Sequence, residues 1–96
     1  MAFTHIVMFK WNRDDVDDAG IAEALRALVA RFDGVQSYLC GRDAGLSPDA
    51  YDFAIVATFD DRESFIAYRD HPDHQRIVTE LIRPNLASRT AAQLED

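Results

Sequence analysis

Cysteine is nearly absent from this chain of 96 residues, in which Cys40 is the only one. A single cysteine cannot form an intramolecular disulfide, so the composition excludes a disulfide-stabilised secreted domain and is typical of the reducing cytoplasm. No apolar run approaches the roughly 18 residues that a membrane-spanning helix requires. The first residues also lack a basic cluster followed by a purely apolar stretch, so we expect neither a signal peptide nor membrane attachment.

Basic residues are scarce as well. Ten Lys and Arg stand against 17 Asp and Glu, which gives a net charge of -7 with no basic cluster to offset it. Such a surface repels phosphate backbones, so nucleic-acid binding is not expected. With 48% hydrophobic residues the composition is that of a globular protein. We expect one domain over residues 1–96, with a modest core that pairing with a second copy would enlarge.

Alternating apolar residues predict the strands. Four segments have this pattern, the last one weakly and rich in alanine: residues 2–11, 35–42, 51–59 and 87–94. Both faces of the first strand are largely apolar. One face has Phe3, Val7 and Phe9 beside His5, and the other has Ile6 and Met8. This strand is therefore predicted to be covered on both sides.

Apolar residues at helical spacing predict the helices. The first covers residues 21–32 and is stopped by Gly34. Asp60, with Glu63 three residues later, has the form of a cap for a second helix. Pro72 cannot continue that helix, but it suits the first turn of a third one.

The order β-α-β-β-α(α)-β predicts an α+β, ferredoxin-like split βαβ fold with a four-stranded antiparallel sheet. Helices cover only one face of such a sheet. Because the other face is also apolar here, we expect two sheets to pack face to face, so that a homodimer forms a dimeric α/β barrel.

Two of the three histidines and a tyrosine lie in the segment YRDHPDHQ, residues 68–75. His74 precedes Val78 by four residues and Leu81 by seven, so it is predicted to lie on the buried face of the last helix. A neutral, partly desolvated imidazole there is a competent general base. The alternative is a core histidine that hydrogen-bonds a backbone carbonyl.

Two further side chains complete a candidate catalytic group. The hydroxyl of Tyr68 can stabilise an oxyanion or enolate beside a base at His74, or Tyr68 can simply pack with its hydroxyl in water. His5 lies on the strand face that is predicted to meet the helices, so it could approach His74. His71 directly precedes Pro72 and is expected to cap the last helix.

Six more residues are candidates for lining a binding site: His71, Phe3, Phe53, Ile55, Tyr38 and Phe65. A zinc site at the three histidines is the competing chemistry, but no cysteine accompanies them and the HPDH spacing straddles a helix start. We therefore expect no metal and no cofactor. Cys40 is expected to be a small packing residue rather than a nucleophile.

Several segments together resemble the stress-responsive A/B barrel (Dabb) family: THIVMFKW, GVQSYLCGRD, and YDFAIVATFDDRESFIAYRDHPDHQ followed by ELIRP. The element Tyr-x-x-His-Pro-x-His after a strand that ends in Thr-Phe is the most specific of these. The resemblance implies a ferredoxin-like subunit that pairs with a second copy to form a dimeric barrel.

The branch of known activity that this sequence resembles is olivetolic acid cyclase, which closes a linear polyketide by aldol chemistry. The resemblance implies catalytic roles for Tyr68 and His74 and a pocket role for His5. Phe53 stands where that enzyme has a further histidine, and the segment SRTAAQLED lacks the usual bulky apolar residues.

We therefore expect a dimer that binds a small organic ligand and, if it is an enzyme, acts as a cofactor-independent cyclase or isomerase of a carbonyl compound. The first alternative is a non-catalytic stress-response or ligand-sequestering dimer, in which a filled cavity would be lined by phenylalanine side chains. The second alternative is a monooxygenase, as found among relatives of the same barrel architecture.

Overall fold

The computed structural model describes all residues from Met1 to Asp96. Its elements are β1 (Phe3–Trp11), α1 (Asp18–Val29), β2 (Val35–Arg42), β3 (Phe53–Phe59), α2 (Arg62–Asp70), α3 (Pro72–Ile77) and β4 (Leu86–Glu95). The four strands form one antiparallel sheet in the order β2-β3-β1-β4. This order confirms the predicted ferredoxin-like fold. The third strand begins two residues later than predicted, and the fourth extends one residue further at each end.

Strand alternation separates the two faces of the sheet. In β1, His5, Val7 and Phe9 are buried, whereas the residues between them are only half-buried. Phe53 and Phe59 of β3 share the buried face and are almost inaccessible to solvent. The helices pack on this face, so the sequence period of two translates directly into one covered side and one open side.

Helix α1 packs its apolar residues onto this face, namely Ile21, Ala22, Leu25 and Leu28. Asp17 caps the helix, and its carboxylate accepts a hydrogen bond from the backbone N–H of Gly20 at 3.1 Å. The chain then turns through Gly34, whose φ of 82° lies in the left-handed region that favours glycine. The predicted helix stop is therefore the turn that leads into β2.

The cap of α2 differs from the prediction. Asp61, not Asp60, is the N-cap, and its side chain accepts from the backbone N–H of Ser64 at 2.8 Å. Asp61 has the extended backbone, φ -160° and ψ 176°, from which a side chain reaches the third helical residue. Asp60 instead accepts a hydrogen bond from the Gln36 amide at 3.0 Å.

We expect Asp61→Ala to lower the midpoint of thermal unfolding by about 4 to 8 °C, because it leaves a helix N–H without its side-chain partner. Circular dichroism melting checks this result. Asp60→Ala is the matched control and should have a clearly smaller effect, since it removes only an exposed contact to Gln36. Equal effects of the two substitutions would contradict the assignment of Asp61 as the cap.

The last helical segment is not one continuous α-helix. After α3 the chain forms a wider π-helical turn, Val78–Ile82, and then a short 3-10 turn, Arg83–Asn85. His71 caps α3 as predicted, with its Nδ1 accepting from the N–H of Asp73 at 3.0 Å. The prediction for Leu81 was wrong: the π turn carries an extra residue per turn, so Ile82 is buried and Leu81 is 38% exposed.

The side of the sheet without helices is apolar and accessible, and we call it the open sheet face. Leu39, Val56 and Leu94 are exposed there, with exposed fractions of 72%, 37% and 55%. Ile6 and Met8 lie among them and are half-buried. The face therefore has the character that the sequence predicted for a dimer surface. None of the helices has both the length and the apolar character that crossing a membrane requires.

Candidate functional site

A cavity of about 380 Å³ lies between the covered face of the sheet and the segment from α2 to β4. We call it the helix-side cavity; its walls are His5, Val7, Phe9, Ile55, Tyr68, His74, Val78, Ile82, Arg83, Leu86 and Arg89. Strand β1 contributes His5, α2 contributes Tyr68 and α3 contributes His74. The structure thus brings the three candidate catalytic side chains to the wall of one mainly apolar cavity.

His74 is held by the end of the preceding helix. Its Nδ1 lies 2.9 Å from the backbone carbonyl oxygen of Arg69. A carbonyl oxygen can only accept, so Nδ1 carries the proton and Nε2 keeps a free lone pair. Burial lowers the pKa of His74, while the hydrogen bond to Arg69 and the charge of Asp70 oppose this shift. The ring is therefore neutral at physiological pH and able to accept a proton at Nε2.

His5 has the opposite arrangement of protons. Its Nδ1 accepts a hydrogen bond at 2.9 Å from the side-chain amide of Gln93 on β4, so its Nε2 carries the proton. The pKa of His5 is lowered to about 4, mainly by burial and also by electrostatic interaction with Arg89 and His74. Its ring also packs against Phe65 at a centroid distance of 4.8 Å. His5 is therefore a neutral hydrogen-bond donor rather than a base.

Tyr68 is buried beside His74, with ring centroids 4.3 Å apart. Its hydroxyl oxygen lies 2.8 Å from that of Tyr38 on β2. The pKa of Tyr68 is raised to about 12, mainly by burial, and the hydrogen bond with Tyr38 partly opposes this shift. Burial also raises the pKa of Tyr38. When Tyr38 is the donor of this hydrogen bond, the proton of Tyr68 is free to point at a ligand.

Only one of the six predicted lining residues, Ile55, forms part of the cavity wall. Phe3, Phe53 and Phe65 are buried in the core outside that wall. Tyr38 lies behind Tyr68, and His71 caps α3. The side chains of Phe3, Phe53 and Phe65 fill the space in which a pocket was predicted. The cavity lies instead closer to the π turn and β4.

Several wall residues were missed by the sequence reasoning. Val7 and Phe9 alternate with His5 on β1, so the period of two could have identified them. Arg89 lies opposite Phe9 in the register of β1 with β4 and could not be placed without that register. The inward position of Ile82 depends on the π turn, and no sequence pattern predicts such a turn clearly.

Neither a metal site nor a reactive thiol accompanies the cavity. No three His, Cys, Asp or Glu side chains are grouped so that they could hold a metal ion. Cys40 is buried between the sheet and α1, and burial raises the pKa of its thiol. The environment of Cys40 is therefore that of a packing residue.

The low pKa of His5 predicts how stability depends on pH. The unfolded chain protonates this histidine near pH 6.5 but the folded chain only near pH 4, so stability is full above about 6.5 and falls as the pH drops towards 4. We expect His5 to account for a loss of about 2 kcal/mol over this range, since its ring retains some solvent contact in the cavity. Urea unfolding at several pH values should show that the free energy of unfolding of His5→Gln depends less steeply on pH than that of the wild type. An equally steep dependence would contradict the low pKa assigned to His5.

Solved structures share this fold along the whole chain. A dimeric ferredoxin-like protein of unknown function from Thermobifida fusca is 39% identical, with a TM-score of 0.88 over 100% of this chain and 92% of that one. A dimeric ferredoxin-like protein of unknown function from Bacteroides fragilis is 25% identical, with a TM-score of 0.76 over 99% and 96% of the two chains. A hydroxynitrile lyase from Passiflora edulis is 16% identical, with a TM-score of 0.78 over 97% and 91% of the two chains, which shows a shared fold alone.

Sequence comparison agrees with the structural one. A stress-response A/B barrel domain-containing protein of Arabidopsis thaliana, DABB1, is 36% identical over 81 residues, which are 79% of this chain. The aligned part is only 39% of that protein, so the chain matches well under half of its relative. The family model of the stress responsive A/B barrel domain matches residues 3–96. This protein therefore belongs to the stress-responsive A/B barrel (Dabb) family.

Proposed function

We propose that the helix-side cavity binds a small, mainly apolar carbonyl compound and catalyses proton transfer on it without a cofactor. The observation that carries this proposal is that His74, whose Nε2 is unprotonated, and Tyr68 lie side by side on the wall of one cavity. A base and a hydrogen-bond donor so arranged are what removal of a proton next to a carbonyl group requires. His5 presents a second N–H that orients the substrate.

The reaction would follow from these three groups. His74 takes a proton from the carbon next to the carbonyl, and the electrons of the C–H bond move onto the carbonyl oxygen as the enolate forms. Tyr68 donates a hydrogen bond to that oxygen, and its pKa of about 12 keeps it protonated while it does so. The enolate then attacks a second carbonyl, which is cyclisation with protonation of the new alkoxide by His74. In a substrate with a conjugated C=C bond it can instead take the proton back from His74 at the far carbon, which is isomerisation.

The likeness to the olivetolic acid cyclase branch supports cyclisation of a polyketide-like compound as one form of this reaction. By this resemblance, Tyr68 and His74 correspond to the motif tyrosine and second motif histidine of that branch, and His5 corresponds to its first-strand pocket histidine. The cavity also has mostly apolar walls, which suit a substrate with a hydrocarbon portion.

We further propose that the 96 residues form one domain and that the protein is a cytoplasmic homodimer paired through the open sheet face. The exposed Leu39, Val56 and Leu94 support this interface. The dimeric state described for the Thermobifida and Bacteroides proteins supports a dimer. The single buried Cys40 fits a reducing compartment.

A second function, storage of a ligand without chemistry, is favoured by the way His5 is packed. Its contacts with Phe65 and Gln93 and its pKa of about 4 are also those of a structural core histidine. In this reading the cavity would bind a carbonyl compound but would not accelerate any reaction of it.

Hydrogen–deuterium exchange distinguishes the two functions. A methyl ketone with a hydrocarbon chain is incubated with the protein in D₂O, and loss of the proton signals next to the carbonyl is followed by NMR. We expect the protein to accelerate exchange in a saturable way, with no added metal or cofactor. Binding of the ketone without any acceleration would favour storage and overturn the catalytic proposal.

A further inference from the structure

Most positively charged side chains in this acidic protein already have a polar partner within the chain. Seven of the ten Lys and Arg side chains contact a carboxylate or a carbonyl oxygen within the chain: Lys10, Arg13, Arg26, Arg31, Arg62, Arg69 and Arg76. The three that remain are Arg42, Arg83 and Arg89. Two of these three, Arg83 and Arg89, belong to the wall of the helix-side cavity.

The cavity contains no group that would neutralise these two arginines. Its other wall residues are apolar or are His5, Tyr68 and His74, and none is Asp or Glu. Both histidines are neutral, as argued above, so the cavity carries two net positive charges inside a protein of net charge -7. The charge of Arg89 acts within the cavity, because it contributes to the low pKa of His5.

Arg83 and Arg89 approach the cavity from its accessible side. Both side chains are exposed, and they extend from the 3-10 turn after the π turn and from β4. The buried side of the cavity is formed by Ile55, Tyr68 and Ile82. The cavity is thus apolar inside and cationic at its rim, which matches a molecule with a hydrocarbon body and one acidic end.

We propose that the natural ligand is an amphiphilic organic anion, whose acidic head group binds Arg83 and Arg89 while its apolar body fills the cavity beside Tyr68 and His74. Guanidinium groups bind carboxylate and phosphate oxygens through paired, charge-assisted hydrogen bonds. This inference rests on the proposed function for the identity of the site, and it adds the class of substrate: an oxo acid or another carbonyl compound with an acidic head group.

The test compares ligands that differ only in charge. Isothermal titration calorimetry of the full chain with octanoate and with octanamide, which share one carbon skeleton, should show about tenfold tighter binding of octanoate. Added salt should reduce this preference, because the arginines are solvent-accessible. Octyl phosphate identifies the head group: tighter binding than octanoate indicates a phosphate, and weaker binding indicates a carboxylate.

Arginine variants locate the effect. Arg83→Gln and Arg89→Gln should each reduce the preference for octanoate over octanamide, and the double variant should abolish it. Arg42→Gln is the matched control, because Arg42 also lacks an ion pair but lies at other surface pockets, away from the helix-side cavity. Octanoate should also raise the pKa of His5 observed by NMR, since a bound anion offsets the charge of Arg89.

Three results would overturn the inference: equal affinity for octanoate and octanamide, a preference that survives in the double variant, or no binding of either compound. Ketone exchange tests the proposed catalysis separately, because the methyl ketone has no acidic group and does not need the arginines. Selective anion binding without ketone exchange would therefore leave this inference standing and remove the catalytic proposal.

Discussion

Replacing His74 with Gln is expected to slow the catalysed exchange of the ketone protons by roughly 10²- to 10⁴-fold, the usual contribution of a placed general base. Glutamine can still donate a hydrogen bond to the Arg69 carbonyl, so the local structure should be kept while the basic nitrogen is lost. NMR exchange rates measure the effect, and circular dichroism checks the fold. Arg76→Gln is the control, because Arg76 lies on the same helix but is exposed and outside the cavity.

The tyrosine pair extends this prediction. Tyr68→Phe should slow exchange by about 10²-fold, because it removes the donor to the enolate oxygen. Tyr38→Phe should have a smaller effect, since Tyr38 is not part of the cavity wall and acts only through its hydrogen bond with the Tyr68 hydroxyl. Tyr51→Phe provides the matched control outside the cavity. If folded His74→Gln and Tyr68→Phe proteins both exchange at the wild-type rate, the assigned roles are wrong.

Val56→Lys is expected to weaken dimerisation by at least about 10³-fold. Val56 lies near the centre of the open sheet face, opposite Ile6 of β1 and Leu39 of β2. A lysine there would be buried between two sheets, and the two-fold symmetry would introduce it twice. The desolvation of each ammonium group costs several kcal/mol, and each 1.4 kcal/mol corresponds to a factor of about ten.

Sedimentation equilibrium over a range of protein concentrations measures this effect. Leu46→Lys is the control. It also replaces an exposed apolar residue with lysine, but Leu46 is 89% accessible and lies in the connection between β2 and β3, away from the open sheet face. It should leave the association constant unchanged. A wild-type protein that is monomeric at micromolar concentration would contradict the dimer, and a Val56→Lys protein that associates like wild type would contradict the interface.

The fold could be predicted from the sequence because its signals are local. Alternation in β1 separates Phe3 and His5 from Ile6 and Met8, and the structure buries the first pair more deeply. Pro72 divides two helices for a reason that needs no tertiary contact, since proline restricts the residue before it. The period of two in the first strand and the helical spacing after Pro72 also predicted that His5 and His74 face the same region.

The shape of the candidate site was less predictable, because it depends on how the elements pack. Phe53 and Phe65 were expected to line a cavity, but the aromatic side chains pack against one another in the core. The π turn rotates Ile82 inward and Leu81 outward, against the period of an ordinary helix. The sequence predicted Asp60 as the cap of α2, but the extended backbone of the next residue makes Asp61 the cap.

By itself, the sequence determined the order of strands and helices, the acidic surface, the apolar open face and the three side chains that resemble a catalytic group. Each of these depends on residue type and on spacing along one element. The tertiary structure alone decided which ring nitrogen of each histidine is free, that Tyr38 supports Tyr68, and that Arg83 and Arg89 meet at one cavity. These features join residues that are distant in the chain, so they depend on strand register and helix packing, which no local pattern encodes.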